Sequence, residues 1–142
     1  LNQKKGPPPE INLFNEKNNG LTVLKLIDEG FVKSAHDIST GGLMVAISKM
    51  CINGNKGINI KKPDNLINHF EYFFGEDQGR YLIEIEKIDL EKVNSILEKN
   101  SVYFNEIGTI IEKNIILKNE FNVTIDELSK RNKTWLTDFM SN

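Results

Sequence analysis

The run Ser34-Ala35-His36-Asp37-Ile38-Ser39-Thr40-Gly41-Gly42-Leu43 reads as the end of a strand, a turn and the start of a helix. An extended segment over 31–36 delivers Asp37 to the turn. Two glycines then open a helix in which Leu43, Ala46, Ile47 and Met50 recur at helical spacing. Ser39 or Thr40 is the expected cap, because a hydroxyl at that position accepts from the first unpaired amides. The same amides, with the helix dipole, make such a mouth an anion site. Asp37 beside it is the kind of group that holds Mg²⁺, whose shell takes one or two carboxylates and fills with phosphate oxygens and water. Two readings stay open on residue types alone. One puts Asp37 on a metal and Ser39, Thr40, Gly41 and Gly42 on phosphate; the other is a plain helix cap whose glycines allow tight packing.

A second run, Phe74-Gly75-Glu76-Asp77-Gln78-Gly79-Arg80, sets two acids, an amide and an arginine between two glycines. Glu76 and Gln78 suit a polar substrate or a metal-bound water. The fork of Arg80 suits phosphate or a carboxylate. The plain alternative is a polar turn into a strand at Tyr81, with Arg80 bonded to Glu76 or Asp77. In Ile107-Gly108-Thr109-Ile110 the glycine marks a bulge or a close backbone approach.

Between these runs, apolar periodicity predicts a helix over 20–29 with Leu21, Leu24 and Ile27 on its buried face, stopped by Gly30. Residues 57–61 alternate as a strand. Pro63 starts a helical run with Leu66, Ile67, Phe70, Phe73 and Phe74 on one side. Residues 81–86 read as a strand with one wet face, and Asp89 as the cap of a helix carrying Leu90, Val93, Ile96 and Leu97. Strands are expected over 104–111, 114–117 and 121–124, the first two joined by a hairpin turn at Lys113-Asn114. A last helix over 125–140 should bury Leu128, Trp135, Leu136 and Phe139. Helices and strands mix without an unbroken βαβ rhythm, so the expected class is α+β: a mixed, mostly antiparallel sheet covered by helices.

The 142 residues suit one domain with a single core. A net charge of −2 and only two arginines, Arg80 and Arg131, give no clustered basic face, so nucleic acid is not an expected partner. No run is apolar enough to span a membrane. Cys51 is the only cysteine and lies in an apolar helical stretch, which reads as a buried small hydrophobe. His36 and His69 have no zinc-like spacing, and no phosphate-loop lysine motif is present. With no leader visible, the expected location is the cytoplasm. Residues 1–15, with Gly6-Pro7-Pro8-Pro9, read as the remnant of an interdomain linker and 16–142 as the domain proper.

Taken in order, the proline-rich lead-in, the two acidic-glycine runs, Ile107-Gly108-Thr109-Ile110 and a last helix with Trp135-Leu136 resemble the C-terminal domain of the phosphoribosylformylglycinamidine synthase family. The lead Ala35-His36-Asp37 and the ending Gln78-Gly79-Arg80 favour it over relatives such as aminoimidazole ribonucleotide synthase, selenophosphate synthetase, thiamine-monophosphate kinase and a hydrogenase maturation factor. The resemblance implies a layered α/β domain of partly ferredoxin-like form. It implies a share in an ATP-dependent ligase of purine synthesis, in which the amide oxygen of formylglycinamide ribonucleotide is phosphorylated and ammonia then displaces the phosphate. It implies Mg²⁺ with ATP or ADP, held at an auxiliary, non-reacting cleft, with Asp37 on the metal and Glu76-Asp77-Gln78 as the substrate-type loop. The implied partners are the remaining domains of the same chain, a glutaminase subunit or domain, and a small accessory subunit. The catalytic histidine implied for the family lies outside this stretch, so His36 does not take its role, and the domain alone is expected to be inactive. A structural interdomain module is the reading from another class.

Overall fold

The computed structural model describes residues 10–63 and 68–141. The expected linker residues 1–9, and Leu66 and Ile67 of the expected helical face, lie outside them. The element order is α1 (Leu13–Asp28), β1 (Val32–Asp37), α2 (Gly42–Gly54), β2 (Gly57–Ile60), α3 (His69–Phe74), β3 (Tyr81–Ile85), one 3-10 turn (Lys87–Asp89), α4 (Leu90–Lys99), β4 (Gly108–Ile111), β5 (Asn114–Leu117), β6 (Phe121–Thr124) and α5 (Ile125–Met140). The class is α+β as expected, but the strands form two sheets. β1 and β3 pair antiparallel; the other sheet runs β4-β2-β5-β6, with only β2 and β5 parallel.

The core also divides in two. The larger cluster gathers Leu43, Ala46, Ile47 and Cys51 of α2 with Ile58, Ile60, Ile115, Leu117, Phe73 and Ile125. The smaller joins Leu26, Phe31, Val93 and Leu97. The two-stranded sheet stands between them: Leu82 packs against the larger cluster, and Ile83 and Ile85, on the opposite face, against the smaller. The single core and the wet face expected for β3 are therefore both corrected. Glu84 shares the face of Leu82 and is half-buried, its carboxylate accepting from Ser34 Oγ at 2.6 Å.

Local signals held at the end of α1 and on the faces of α2 and α4, and failed at several helix starts and on the other faces. α1 starts at Leu13, so residues 13–15 of the expected linker stand in its first turn, capped by Asn12 through the Asn15 amide at 3.0 Å. It stops as expected at Gly30 (φ 79°), where Gly30 N–H donates to Ile27 O and Phe31 N–H to Leu26 O. The buried side of α1 is Thr22 and Leu26, not Leu21, Leu24 and Ile27. In α3 only Phe73 is buried, while Phe70 and Phe74 are exposed. In α5, Ile125 is buried and Leu128 packs on the larger cluster, but Trp135, Leu136 and Phe139 are exposed. Asp89 gives α4 no side-chain cap, because it closes the preceding 3-10 turn. β4 begins only at Gly108. The Lys113-Asn114 hairpin does not form, since β2 lies between β4 and β5. Gly108 stands where a Cβ would meet Asn59 O at 2.5 Å, the close backbone approach expected of it. Cys51 is buried as expected, and burial, with the Glu84 charge adding to it, pushes its thiol up to about 11.

Candidate functional site

The two acidic-glycine runs meet because β1 and β3 pair antiparallel. Asp37, the last residue of β1, lies opposite Tyr81, the first of β3, and Ile38 N–H donates to Arg80 O at 2.9 Å. The loop after β1 and the loop before β3 therefore leave the same sheet edge. Between them opens a cleft of about 330 Å³ lined by Asp37, Ser39, Thr40, Glu76, Gln78 and Arg80, with Glu16 of α1 as a further wall. The Asp37 side chain is 66% exposed and faces this space. His36 brackets it: Nδ1 donates to the Asp37 carbonyl at 2.5 Å and lies 3.4 Å from Oδ1.

The helix mouth differs from the expected one. Neither Ser39 nor Thr40 caps α2. Its N-cap is Gly41 at φ 84°, without a side-chain bond of its own. The Gly41 amide instead donates to Glu76 Oε1 at 2.7 Å, and the Gly42 amide to Ser39 O at 2.9 Å. A carboxylate from the second run thus takes the position beside the helix N-terminus that an anion would occupy. Gly42, at φ 67°, has a packing reason as well. A Cβ there would stand 2.6 Å from the Phe74 carbonyl carbon, where the end of α3 butts against the start of α2.

Arg80 is held inside its own loop. Nη1 donates to Gly75 O and to Asp77 Oδ2, both at 3.3 Å, and Nη2 to Tyr72 O at 3.2 Å. Asp77 does not line the cleft; it pairs with Arg80, as the plain alternative had it. With Arg80 so engaged and Glu16, Asp37 and Glu76 on the walls, the cleft repels a bare phosphate and favours a cation or a cation-bound anion. Among the described residues no three His, Cys, Asp or Glu side chains converge to hold a metal. Asp37 and its neighbours fit Mg²⁺ only in the form that brings its own phosphate oxygens and keeps water.

Glu16 escaped the sequence reading. It precedes Asp37 by a helix and a turn, and no spacing signal ties it to either run. The contact that brings it in is Gly79 at φ 68°, where a Cβ would stand 3.2 Å from Glu16 Cα, with Asn19 Nδ2 donating to Gly79 O at 3.0 Å. A second concavity, of about 480 Å³, lies by Met44, Phe73, Leu117 and Phe121 and takes only Phe74 from the two runs. At its rim His69 has a partner the sequence did not reveal, Glu120, at 3.3 Å. Lys62 bonds the same carboxylate and holds it below the usual range.

Over residues 1–118 the sequence matches the family described as AIR synthase related protein, C-terminal domain. The chain belongs to this family. Within the AIR synthase related family it is 59% identical, over all 142 residues, to the phosphoribosylformylglycinamidine synthase subunit PurL of Pelagibacter ubique (strain HTCC1062), of which it covers 20%. It is 38% identical over 140 residues to the same subunit of Bartonella henselae, covering 19% of it. The chain thus spans about a fifth of the length of the curated relatives it matches. Among solved structures, PurLQS from Thermotoga maritima superposes with a TM-score of 0.72 over 85% of this chain and 22% of that one. PurL of the same organism complexed with FGAR gives 0.71 over 84% and 21%. Both are 22% identical and show that the fold is shared.

Proposed function

We propose that the chain is the C-terminal domain of a phosphoribosylformylglycinamidine synthase subunit of purine synthesis, and that its cleft binds a Mg²⁺-nucleotide. The observation that carries the reading is the 59% identity to PurL over the whole of this chain. The meeting of both acidic-glycine runs at one cleft supports it, as do the T. maritima PurL structures complexed with ATP and with ADP, which share this fold. In this reading Asp37 holds the metal, Ser39, Thr40 and Gln78 contact the nucleotide, and Asp77 and Arg80 shape the loop. The Gly41 amide reaches a phosphate only when Glu76 swings away from it, and the Gly42 amide only when it leaves the Ser39 carbonyl. The metal, when bound, offsets phosphate charge that the acidic walls would otherwise repel.

The active protein in this reading is the longer chain, with a glutaminase and a small accessory subunit as partners; the name PurLQS of a fold neighbour supports an assembly beyond PurL alone. Its place is the cytoplasm, which a single buried, unpaired cysteine suits. Among the described residues no helix is long and apolar enough to cross a membrane.

The test is made in the full-length protein. Wild type should form the formylglycinamidine product from ATP, ammonia and formylglycinamide ribonucleotide. Asp37→Ala should lower the number of Mg²⁺-nucleotides bound per chain and abolish the rise in melting temperature given by Mg²⁺-ADP. The 142-residue chain alone should show no turnover. A second reading, a purely structural interdomain module, is favoured by Glu76, Gly42 and Arg80 all being spent on internal contacts. Unchanged stoichiometry and melting in Asp37→Ala would select it.

A further inference from the structure

α3 forms one wall of the second concavity, and its phenylalanines divide between floor and wall. Phe73 is buried and makes the floor with Leu117 and Phe121 of the β5–β6 hairpin. Phe70 and Phe74, one turn apart, stack with ring centroids 6.3 Å apart and are 65% and 53% exposed. A single exposed phenylalanine is ordinary. A stacked pair lining a hollow of about 480 Å³ over an apolar floor is a surface that a flat ligand would cover. The rim says what such a ligand carries. His69 Nδ1 lies 3.3 Å from Glu120 Oε1, and Lys62 bonds the same oxygen. A carboxylate only accepts, so in the neutral imidazole Nδ1 holds the proton and Nε2 is an acceptor. Glu120 Oε2, which takes neither of these bonds, is an acceptor as well. Asn68 Oδ1 is spent on the Phe70 and Glu71 amides at 3.0 and 3.3 Å, which leaves its Nδ2 as a side-chain donor. Acceptors thus outnumber donors among the polar side chains of the lining. Lys62 beside Glu120 offsets the carboxylate charge, so the rim selects a neutral donor over a cation.

We propose that this concavity is a second small-molecule site, for a flat, uncharged aromatic ring bearing an N–H donor, which packs against Phe70 and Phe74 and donates to Glu120. Size supports a bicyclic ring: an apolar cavity of about 150 Å³ already takes benzene. The contacts of Glu120 with Lys62 and His69 tie the β5–β6 turn to the start of α3 before any ligand arrives, so the rim is preformed and little ordering opposes binding. The concavity shares no lining residue with the acidic cleft, so its ligand binds whether or not a nucleotide is held there.

The test uses indole, which is bicyclic, uncharged and carries one N–H. Saturation-transfer NMR of indole on the full-length protein, with and without Mg²⁺-ADP, should show saturable binding with a dissociation constant of about 1 mM or tighter. 1-Methylindole keeps the ring and lacks the donor, and should bind at least tenfold more weakly. Glu120→Ala should weaken indole at least tenfold and Phe70→Ala at least threefold; both side chains are exposed, so neither change empties the core. Absence of saturation would overturn the proposal. Equal binding of indole and 1-methylindole would overturn it without any variant. Indole binding that neither substitution weakens would place the ring elsewhere and overturn it too, as would binding that Mg²⁺-ADP abolishes, by assigning the ring to the acidic cleft. Synthase activity and nucleotide stoichiometry test the functional reading separately, since indole can bind to a protein that fails both.

Discussion

At Gly42 two costs coincide. Its φ of 67° lies in the left-handed region, and a Cβ would strike backbone rather than a yielding side chain. Gly42→Ala should therefore cost about 2–4 kcal/mol, left-handed strain plus overpacking, in urea unfolding of the chain. Gly30→Ala is the control: the same kind of φ, 79°, but nothing within 4 Å of the added methyl, for a cost of about 1 kcal/mol. Equal losses would show that space at the α2–α3 junction does not matter. Cys51 gives a prediction on pH. Its thiol, ordinarily near 9.0, is raised to about 11 by burial and by Glu84, so the folded chain keeps that proton longer than the unfolded one. The contribution to stability is complete below about pH 9 and is lost as the pH climbs toward 11. Near pH 8 the thiolate should be roughly a hundredfold scarcer than in an ordinary cysteine. Iodoacetamide should accordingly modify the folded chain at least tenfold more slowly than the urea-unfolded one; comparable rates would show that the thiol is open to solvent.

Along an element, position decides what an apolar residue contributes. Ile125, in the first turn of α5, is 2% exposed in the larger core, whereas Trp135 and Phe139, further along the same helix, are largely open to solvent. For the chain on its own, Ile125→Ala should cost about 2–4 kcal/mol by urea unfolding, and Trp135→Ala or Phe139→Ala under about 0.5 kcal/mol. A large loss at Trp135 would mean that the far end of α5 folds back onto the body. This contrast explains much of what sequence alone could and could not reveal. Periodicity located α1, α2, α4 and α5 because it reports that a helix has an apolar stripe. It cannot report whether that stripe meets this chain's core or something else, and so Leu21, Leu24, Trp135 and Phe139 were misassigned. Turn chemistry located Gly30, whose backbone is left-handed. It misjudged Lys113-Asn114, because insertion of β2 between two sequential strands is a long-range event that no dipeptide encodes. At the cleft, Asp37, Ser39, Thr40, Glu76, Gln78 and Arg80 were legible as lining because polar side chains crowd two element junctions where no apolar periodicity claims them. The bond from Gly41 to Glu76 was not legible, since it depends on the β1–β3 register that brings the two loops together.

For the molecule as a whole, the open question in its energetics is whether two cores make one cooperative unit. The smaller cluster holds Leu26, Phe31, Val93 and Leu97; the larger is built around α2 and β5. Between them stand only two strands, but those strands serve both sides: Leu82 reaches one cluster, and Ile83 and Ile85 the other, from consecutive positions of β3. Opening the smaller cluster would uncover the back of β3 and leave Leu82 on a strand whose pairing with β1 has lost half its cover. The sheet cannot be half-formed, because its ladder of hydrogen bonds is shared by both faces. Leu26→Ala should therefore be felt across the molecule. Leu26 is fully buried, so its truncation costs about 3 kcal/mol, equivalent to a factor of about a hundred in the opening equilibrium. In native-state hydrogen exchange the most protected amides of α2 and β5 should then exchange faster by the same factor as those of α1 and α4. Ile47→Ala, made in the other cluster, should produce the mirror result in α4. If Leu26→Ala accelerated exchange only in α1, β1 and α4, the two cores would unfold separately, and β3 would be a seam between independent units rather than the element that couples them.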